Sequence, residues 1–176
     1  MINKILIIGN AGSGKNYCGE ILSKETKIPF YDIDNIIWIK KFCLKRTKTE
    51  RRIIVNKIIK RKEWIFGAFP RPWNLKIASA AKQIVILIEK RQVTTYRVIK
   101  RYFKRKYSQV PPKENIFELW NLLTYCWKDF TPKGESGKYC EMLKQKYQNK
   151  VMVLNGKRER DEYFEKISVQ IKKDRS

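Results

Sequence analysis

The chain contains no histidine, which excludes imidazole from any triad, acid–base pair or metal centre. Its four cysteines, Cys18, Cys43, Cys126 and Cys140, are widely spaced, and no C-x-x-C pair occurs. Without histidine to complete a set, a zinc site is excluded, and reduced, structural thiols are expected. No apolar run approaches the length of a membrane span, and residues 1–8 lack the order of a signal peptide. A cytoplasmic protein with no membrane partner is expected. Acidic residues are also scarce, 17 against 40 lysines and arginines, for a formal charge of +23. Any catalysis must therefore use Lys, Arg and a few carboxylates, which suits phosphoryl transfer, where positioning and charge neutralisation dominate. The positive excess predicts attraction to polyanions, nucleic acid among them. A compositional origin stands beside that reading, because the chain is rich in Lys, Ile and Asn.

What is present suffices for one globular domain: 176 residues, 43% of them apolar and 12% aromatic. The informative stretch is the first. Ile5-Leu6-Ile7-Ile8 is followed by Gly9-Asn10-Ala11-Gly12-Ser13-Gly14-Lys15-Asn16 and then by a helical pattern. This is the G-x-x-x-x-G-K pattern of a phosphate-binding P-loop in its required strand-to-helix context. Glycines let the backbone curl so that successive N–H groups face phosphate oxygens. The helix N-terminus adds positive potential, and Lys15 can reach the β and γ phosphates of ATP. Gly9, Asn10, Ala11, Gly12, Ser13, Gly14, Lys15, Asn16 and Tyr17 form the candidate nucleotide-binding stretch. Asn16 stands where a Ser or Thr hydroxyl would serve Mg²⁺.

Further along, Tyr17, Cys18, Ile21 and Leu22 have the spacing of a helix packed on a sheet. Phe30 to Asp34 reads as a second strand whose D-x-D end puts Asp32 and Asp34 on one face. At the carboxyl end of a parallel strand they would lie near the phosphates, the alternative being a polar turn. Thr47-Lys48-Thr49-Glu50 matches a capping box before a helix carrying Ile53, Ile54, Ile58 and Ile59. Trp64–Phe66, Gln83–Ile88 and Val151–Leu154 read as further strands, with Glu89 closing the second of these. Residues 92–106 read as a basic helix with Val93, Tyr96, Ile99 and Phe103 on its apolar face, broken by Pro111 and Pro112. Residues 116–130 carry an aromatic stripe of Ile116, Leu119, Trp120, Leu123, Cys126, Trp127 and Phe130, suited to core or to the cover of a site. Thr131 to Gly137 reads as a turn, Tyr139, Leu143 and Tyr147 as a helix, and residues 158–172 as a closing helix. The sum is an α/β doubly wound fold: a mainly parallel five-stranded sheet with helices on both faces.

These features together resemble the small adenylate-kinase-like P-loop NTPases, and within them the DNA topology modulation (FlaR-like) proteins. The resemblance rests on the strand–P-loop start, Ile33-Asp34 with Trp38, Trp64-Ile65 before a Gly-containing loop, residues 96–101 and the late Trp-rich helix. It implies one domain over 1–176 with a helical lid or insert at about 91–149. It implies a kinase or NTPase moving the γ-phosphoryl of ATP to a nucleotide or other small acceptor. Lys15, Arg97, Arg101 and Asp34 would be catalytic, Asp34 and Arg71 would bind the acceptor, Asn155 would adjoin the adenine, and Asp32 would stand near Mg²⁺. Gly67-Ala68 replaces the family's metal-supporting aspartate–glycine pair, leaving Asp32, Asp34 or Glu89 as substitutes. A second reading stays open: a weakened nucleotide-binding module associated with nucleic acid through the basic residues 97–106, Tyr102 and Tyr107.

Overall fold

The computed structural model describes residues 2–40, 43–107, 116–129, 131 and 133–175. In chain order the elements are β1 (Lys4–Gly9), α1 (Lys15–Thr26), β2 (Phe30–Asp32), α2 (Ile33–Ile37), β3 (Trp38–Lys40), β4 (Leu44–Lys45), α3 (Lys48–Ile59) and β5 (Trp64–Ala68). They continue with α4 (Leu75–Ala80), β6 (Gln83–Ile88), α5 (Arg91–Lys106), α6 (Ile116–Asp129), α7 (Glu135–Lys146), β7 (Val151–Asn155) and α8 (Gly156–Lys173). The main sheet has the order β2-β5-β1-β6-β7, and every pairing in it is parallel. This is the doubly wound α/β fold expected.

Ile5 to Ile8 are fully buried because β1 is the central strand and both of its faces are covered. Alternation divides the core. Leu6 and Ile8 face a layer with Ile33, Ile58, Ile77 and Leu143, drawn from α2, α3, α4 and α7. Ile5 and Ile7 face Cys18, Leu22, Phe164, Ile167 and Ile171 of α1 and α8. A third cluster joins Ala11 of the loop to Val98 of α5 and Leu123 and Cys126 of α6. Burying an Ile or Leu side chain contributes about 1.5–3 kcal/mol, so the two faces of β1 alone fix the loop's point of departure firmly. Cys18, Cys126 and Cys140 are buried and Cys43 is exposed, all as free thiols.

Several expectations are corrected. β2 stops at Asp32, because its carboxylate accepts the Asp34 N–H and caps α2. Asp34 thus lies in a helical first turn and does not share a strand face with Asp32. The α1 packing face is Cys18 and Leu22, while Tyr17 and Ile21 are exposed. In α5 the buried residues are Thr94, Val98 and Tyr102, and Tyr96 and Phe103 point to solvent. Only the middle of the α6 stripe is core: Leu123 and Cys126 are buried, Ile116 and Trp120 exposed. The expected turn at 131–137 gives way to α7 at Glu135. The small antiparallel pair β3–β4 and helix α4 have no counterpart in the sequence reading. The Thr47–Glu50 capping box forms in full. Pro111, Pro112 and Phe130 lie outside the described residues. Among the described residues no helix is long and apolar enough to cross a membrane.

Candidate functional site

The loop leaves β1 between its neighbours β5 and β6, at the carboxyl ends of the strands. Gly12 and Gly14 have φ of 78° and 95°, a region that L side chains avoid. A Cβ on Gly12 would sit 2.7 Å from the Thr94 carbonyl oxygen, so α5 approaches this backbone directly. Gly14 is the N-cap of α1 and offers no side-chain cap, which leaves the helix's first-turn N–H groups directed at the cleft. Asn10 holds the curl: its Oδ1 accepts the Ala11 N–H at 2.8 Å, and its Nδ2 donates to the Cys126 carbonyl of α6.

Lys15 is buried, its Nζ within 3.5 Å of the Asn10 carbonyl and 4.0 Å from the centre of the Phe69 ring. Burial lowers its pKa from the usual lysine value; Asp34 and Asp32 pull the other way, and Arg101 adds to the lowering. An anion entering the loop would replace the lost solvation of this ammonium.

Above the loop opens a cleft of about 710 Å³ lined by Gly12, Gly14, Lys15, Asn16, Tyr17 and Asp34 on the loop side. Arg97, Arg101 and Arg105 of α5 form one wall, and Glu118, Asn121, Leu122 and Tyr125 of α6 another, with Trp38 and Phe69 between. Glu118, Asn121 and Tyr125 were missed from the sequence, and Arg105 was read only as part of the basic stretch 97–106. Their signal was helical spacing: Arg97, Arg101 and Arg105 recur every four residues, and Glu118, Asn121 and Tyr125 share a face.

Behind the loop lies a second missed feature. Glu89, at the end of β6, accepts from Arg97 at 3.1 Å and lies 3.9 Å from Arg160 of α8. Arg97 also donates to the Gly12 carbonyl at 3.0 Å, and Arg160 to the Ser13 carbonyl at 3.3 Å. The cluster clamps the outer carbonyls of the loop, leaving its amides to face inward. Glu89 is thus engaged by two guanidinium groups.

Of the residues singled out in the sequence, Lys15, Asp34, Arg97, Arg101, Asn16 and Tyr17 line the one cleft. Two expected residues do not. Arg71 lies outside the cleft lining, pairing with Glu135 at 2.7 Å and stacking on Tyr125 at 4.8 Å. Asn155 is exposed, its N–H donating to Glu159 at 2.7 Å, and it does not line the cleft.

A protein-held Mg²⁺ fits this donor set poorly. Asn16 Nδ2 donates to Asp32 Oδ2, and Asp32 Oδ1 accepts the Asp34 N–H. Gly67 supplies no side chain, and no cluster of three potential metal ligands exists among the described residues. The loop fits phosphate; the metal position does not fit the ion.

No family model matches the chain. It is 31% identical over 111 residues to a Bacillus subtilis protein designated uncharacterized protein YqaC, and the match spans 62% of either length. Among solved structures, shikimate kinase from Acinetobacter baumannii in complex with shikimate is similar at TM-score 0.56 and 19% identity, over 99% of this chain and 95% of that one. A gluconokinase from Sinorhizobium meliloti is similar at TM-score 0.55 and 16% identity, over 97% and 92%. YorR from Bacillus subtilis, in complex with phosphorylated GDP, matches at TM-score 0.57 and 14% identity, over 97% of both chains. At such identities the likeness is one of architecture, and it is consistent: the chain has a P-loop kinase-like fold.

Proposed function

We propose that the chain is a nucleotide-binding phosphotransferase that moves the γ-phosphoryl of ATP to a small acceptor, within the single domain 1–176. The observation that carries this reading is one cleft with a phosphate-shaped loop and Lys15 at its floor, and Arg97, Arg101 and Arg105 aligned on one wall. Lys15 would bind the β and γ phosphates, and the arginines would stabilise charge on the group in transfer. Asp34, a carboxylate that lines the cleft with Lys15, would orient the acceptor hydroxyl. Trp38, Phe69 and Tyr125 would hold an acceptor with an apolar face. Helices α5 to α7, roughly the expected segment 91–149, would act as the lid. The sequence resemblance to the DNA topology modulation (FlaR-like) proteins supports a placement near them.

The test is ATP consumption by the intact chain against a panel of nucleoside, nucleotide and sugar acceptors, with Lys15→Ala as control. Turnover that Lys15→Ala abolishes supports the reading. Turnover unaffected by Lys15→Ala, or ATP that never binds, refutes it.

A second reading, a nucleotide-binding module associated with nucleic acid, is favoured by the outward face of α5. Tyr96, Phe103 and Tyr107 are exposed there at helical spacing beside Lys100 and Lys104, and the Phe103 and Tyr107 rings are stacked. Interleaved aromatics and lysines suit stacked single-stranded bases. Binding to a single-stranded oligonucleotide that weakens steeply with salt supports it, and no retention at low salt refutes it.

A further inference from the structure

We infer that this site takes a nucleoside polyphosphate with no side-chain ligand to a divalent cation, the ligand position being closed by an Asn16–Asp32 clasp and the Phe30 ring. The inference rests on the nucleotide-binding reading above and concerns how that nucleotide is neutralised. P-loop proteins ordinarily hold Mg²⁺ with the hydroxyl after the loop lysine and with an aspartate at a strand's end. Here the first is a carboxamide whose Nδ2 lies 2.5 Å from Asp32 Oδ2. That contact fixes the amide's orientation, because the reverse would bring two oxygens together. An N–H donor therefore faces the carboxylate where a cation would otherwise sit.

The other half of the amide carries the argument further. Asn16 Oδ1 is buried and without a hydrogen-bond partner among the described residues. It faces Gly67, which stands opposite Asp32 on β2 and Ile7 on β1. A Cβ on Gly67 would lie 3.5 Å from that oxygen and 2.9 Å from Phe30 Cζ. The phenyl ring thus fills the space a side chain at 67 would need, and a Cβ on Gly19 would overlap the same ring. With Asp32 engaged by an N–H and the phenyl edge filling the space beside Gly67, no side chain is set to enter the octahedral shell of Mg²⁺, whose oxygens would come from phosphate and water. Neutralisation falls to the cations lining the cleft, Lys15, Arg101 and Arg105, with Arg97 shared with Glu89, against the lining carboxylates Asp34 and Glu118. Guanidinium groups are suited to this, being permanently charged and planar.

ATP titration of the intact chain by calorimetry, in millimolar Mg²⁺ and separately in EDTA, tests the inference without reference to turnover. The dissociation constant in EDTA is expected to be no more than about threefold weaker than in Mg²⁺. Asn16→Thr restores a hydroxyl and releases Asp32, so Mg²⁺ should then tighten ATP binding by about tenfold. Asn16→Ser, with folding checked by circular dichroism, repeats that arm should the threonine disturb α1. Wild-type binding that Mg²⁺ tightens about tenfold or more overturns the inference while leaving the nucleotide-binding reading intact. Binding in neither condition overturns both. Hydroxyl variants that fold, bind ATP and remain indifferent to Mg²⁺ count against the clasp as the cause.

Discussion

Replacing Arg160 with methionine tests whether the loop is held from behind by the Glu89 cluster. The side chain is buried, donates to the Ser13 carbonyl at 3.3 Å, and lies 3.9 Å from Glu89. A hydrogen bond from a charged donor contributes about 1.5–3 kcal/mol. The gross attraction to Glu89 at that distance is about 4 kcal/mol at an effective dielectric constant near 20. Much of that attraction is offset by the desolvation that methionine would relieve. Arg97 still faces Glu89 at the shorter 3.1 Å, so the carboxylate is not abandoned. The expected net loss is about 3 kcal/mol, at the low end for breaking a buried pair. For a chain of this size that corresponds to a fall in Tm of about 6–12 °C. Urea unfolding followed by circular dichroism measures it, and a cycle with Glu89→Gln separates pairing from packing. The cycle should show about 1–2 kcal/mol of coupling. A loss below about 1 kcal/mol would mean that Arg160 only fills space, and effects that simply add would refute the coupling to Glu89 and leave only its bonds to the Ser13 carbonyl and to Asp161 at 3.0 Å.

Lys15→Met should abolish ATP binding yet leave the Tm of the ligand-free chain unchanged or higher, because burial lowers the pKa of Lys15. The unfolded chain then binds the extra proton between the lowered pKa and the ordinary value, so this group's contribution to stability rises with pH across that window. Cys18, raised to about 11, and Cys140, raised to about 12, act in the opposite sense above the ordinary thiol pKa. The difference between wild-type and Lys15→Met melting curves from neutral to alkaline pH isolates the lysine, and parallel curves would refute the assignment. Gly12→Ala should cost more stability than Gly14→Ala. The first would drive a Cβ to 2.7 Å from a backbone oxygen of α5, the second to 2.8 Å from Arg160 Nη1, a side-chain end that can shift at the cost of its bonds where a helix backbone cannot. Both bear about 1–2 kcal/mol of left-handed strain, so a reversed order in urea unfolding would refute the contact argument. Gly19→Ala should destabilise by about 1–3 kcal/mol through overlap with Phe30, and Phe30→Leu in the same chain should recover part of it. No recovery would place the strain elsewhere.

What was legible in the sequence was local. The strand, loop and helix of residues 5–26 sit within one stretch, and the Thr47–Glu50 box needs only its own neighbours. Misreadings arose where a second local force competed. Strand alternation put Asp32 and Asp34 on one face, but a carboxylate that can accept an N–H two residues on starts a helix instead. In α5, hydrophobicity favoured Val93, Tyr96, Ile99 and Phe103 as the packing face. The buried face is Thr94, Val98 and Tyr102, because α5 lies against Gly12 with Thr94 backbone atoms 2.7–3.2 Å from that glycine's missing Cβ. Packing on a loop favours a small residue there, whatever its hydrophobicity. Arg160 had no local signal at all: its partner Ser13 is 147 residues away and meets it only because β7 and α8 return beside β6. The same distinction separates the two halves of the site. The phosphate cradle is one contiguous stretch and could be read directly. The metal position is assembled from Asn16, Phe30, Asp32 and Gly67 on three different elements, so its closure follows only from the sheet register that sets β2 beside β5.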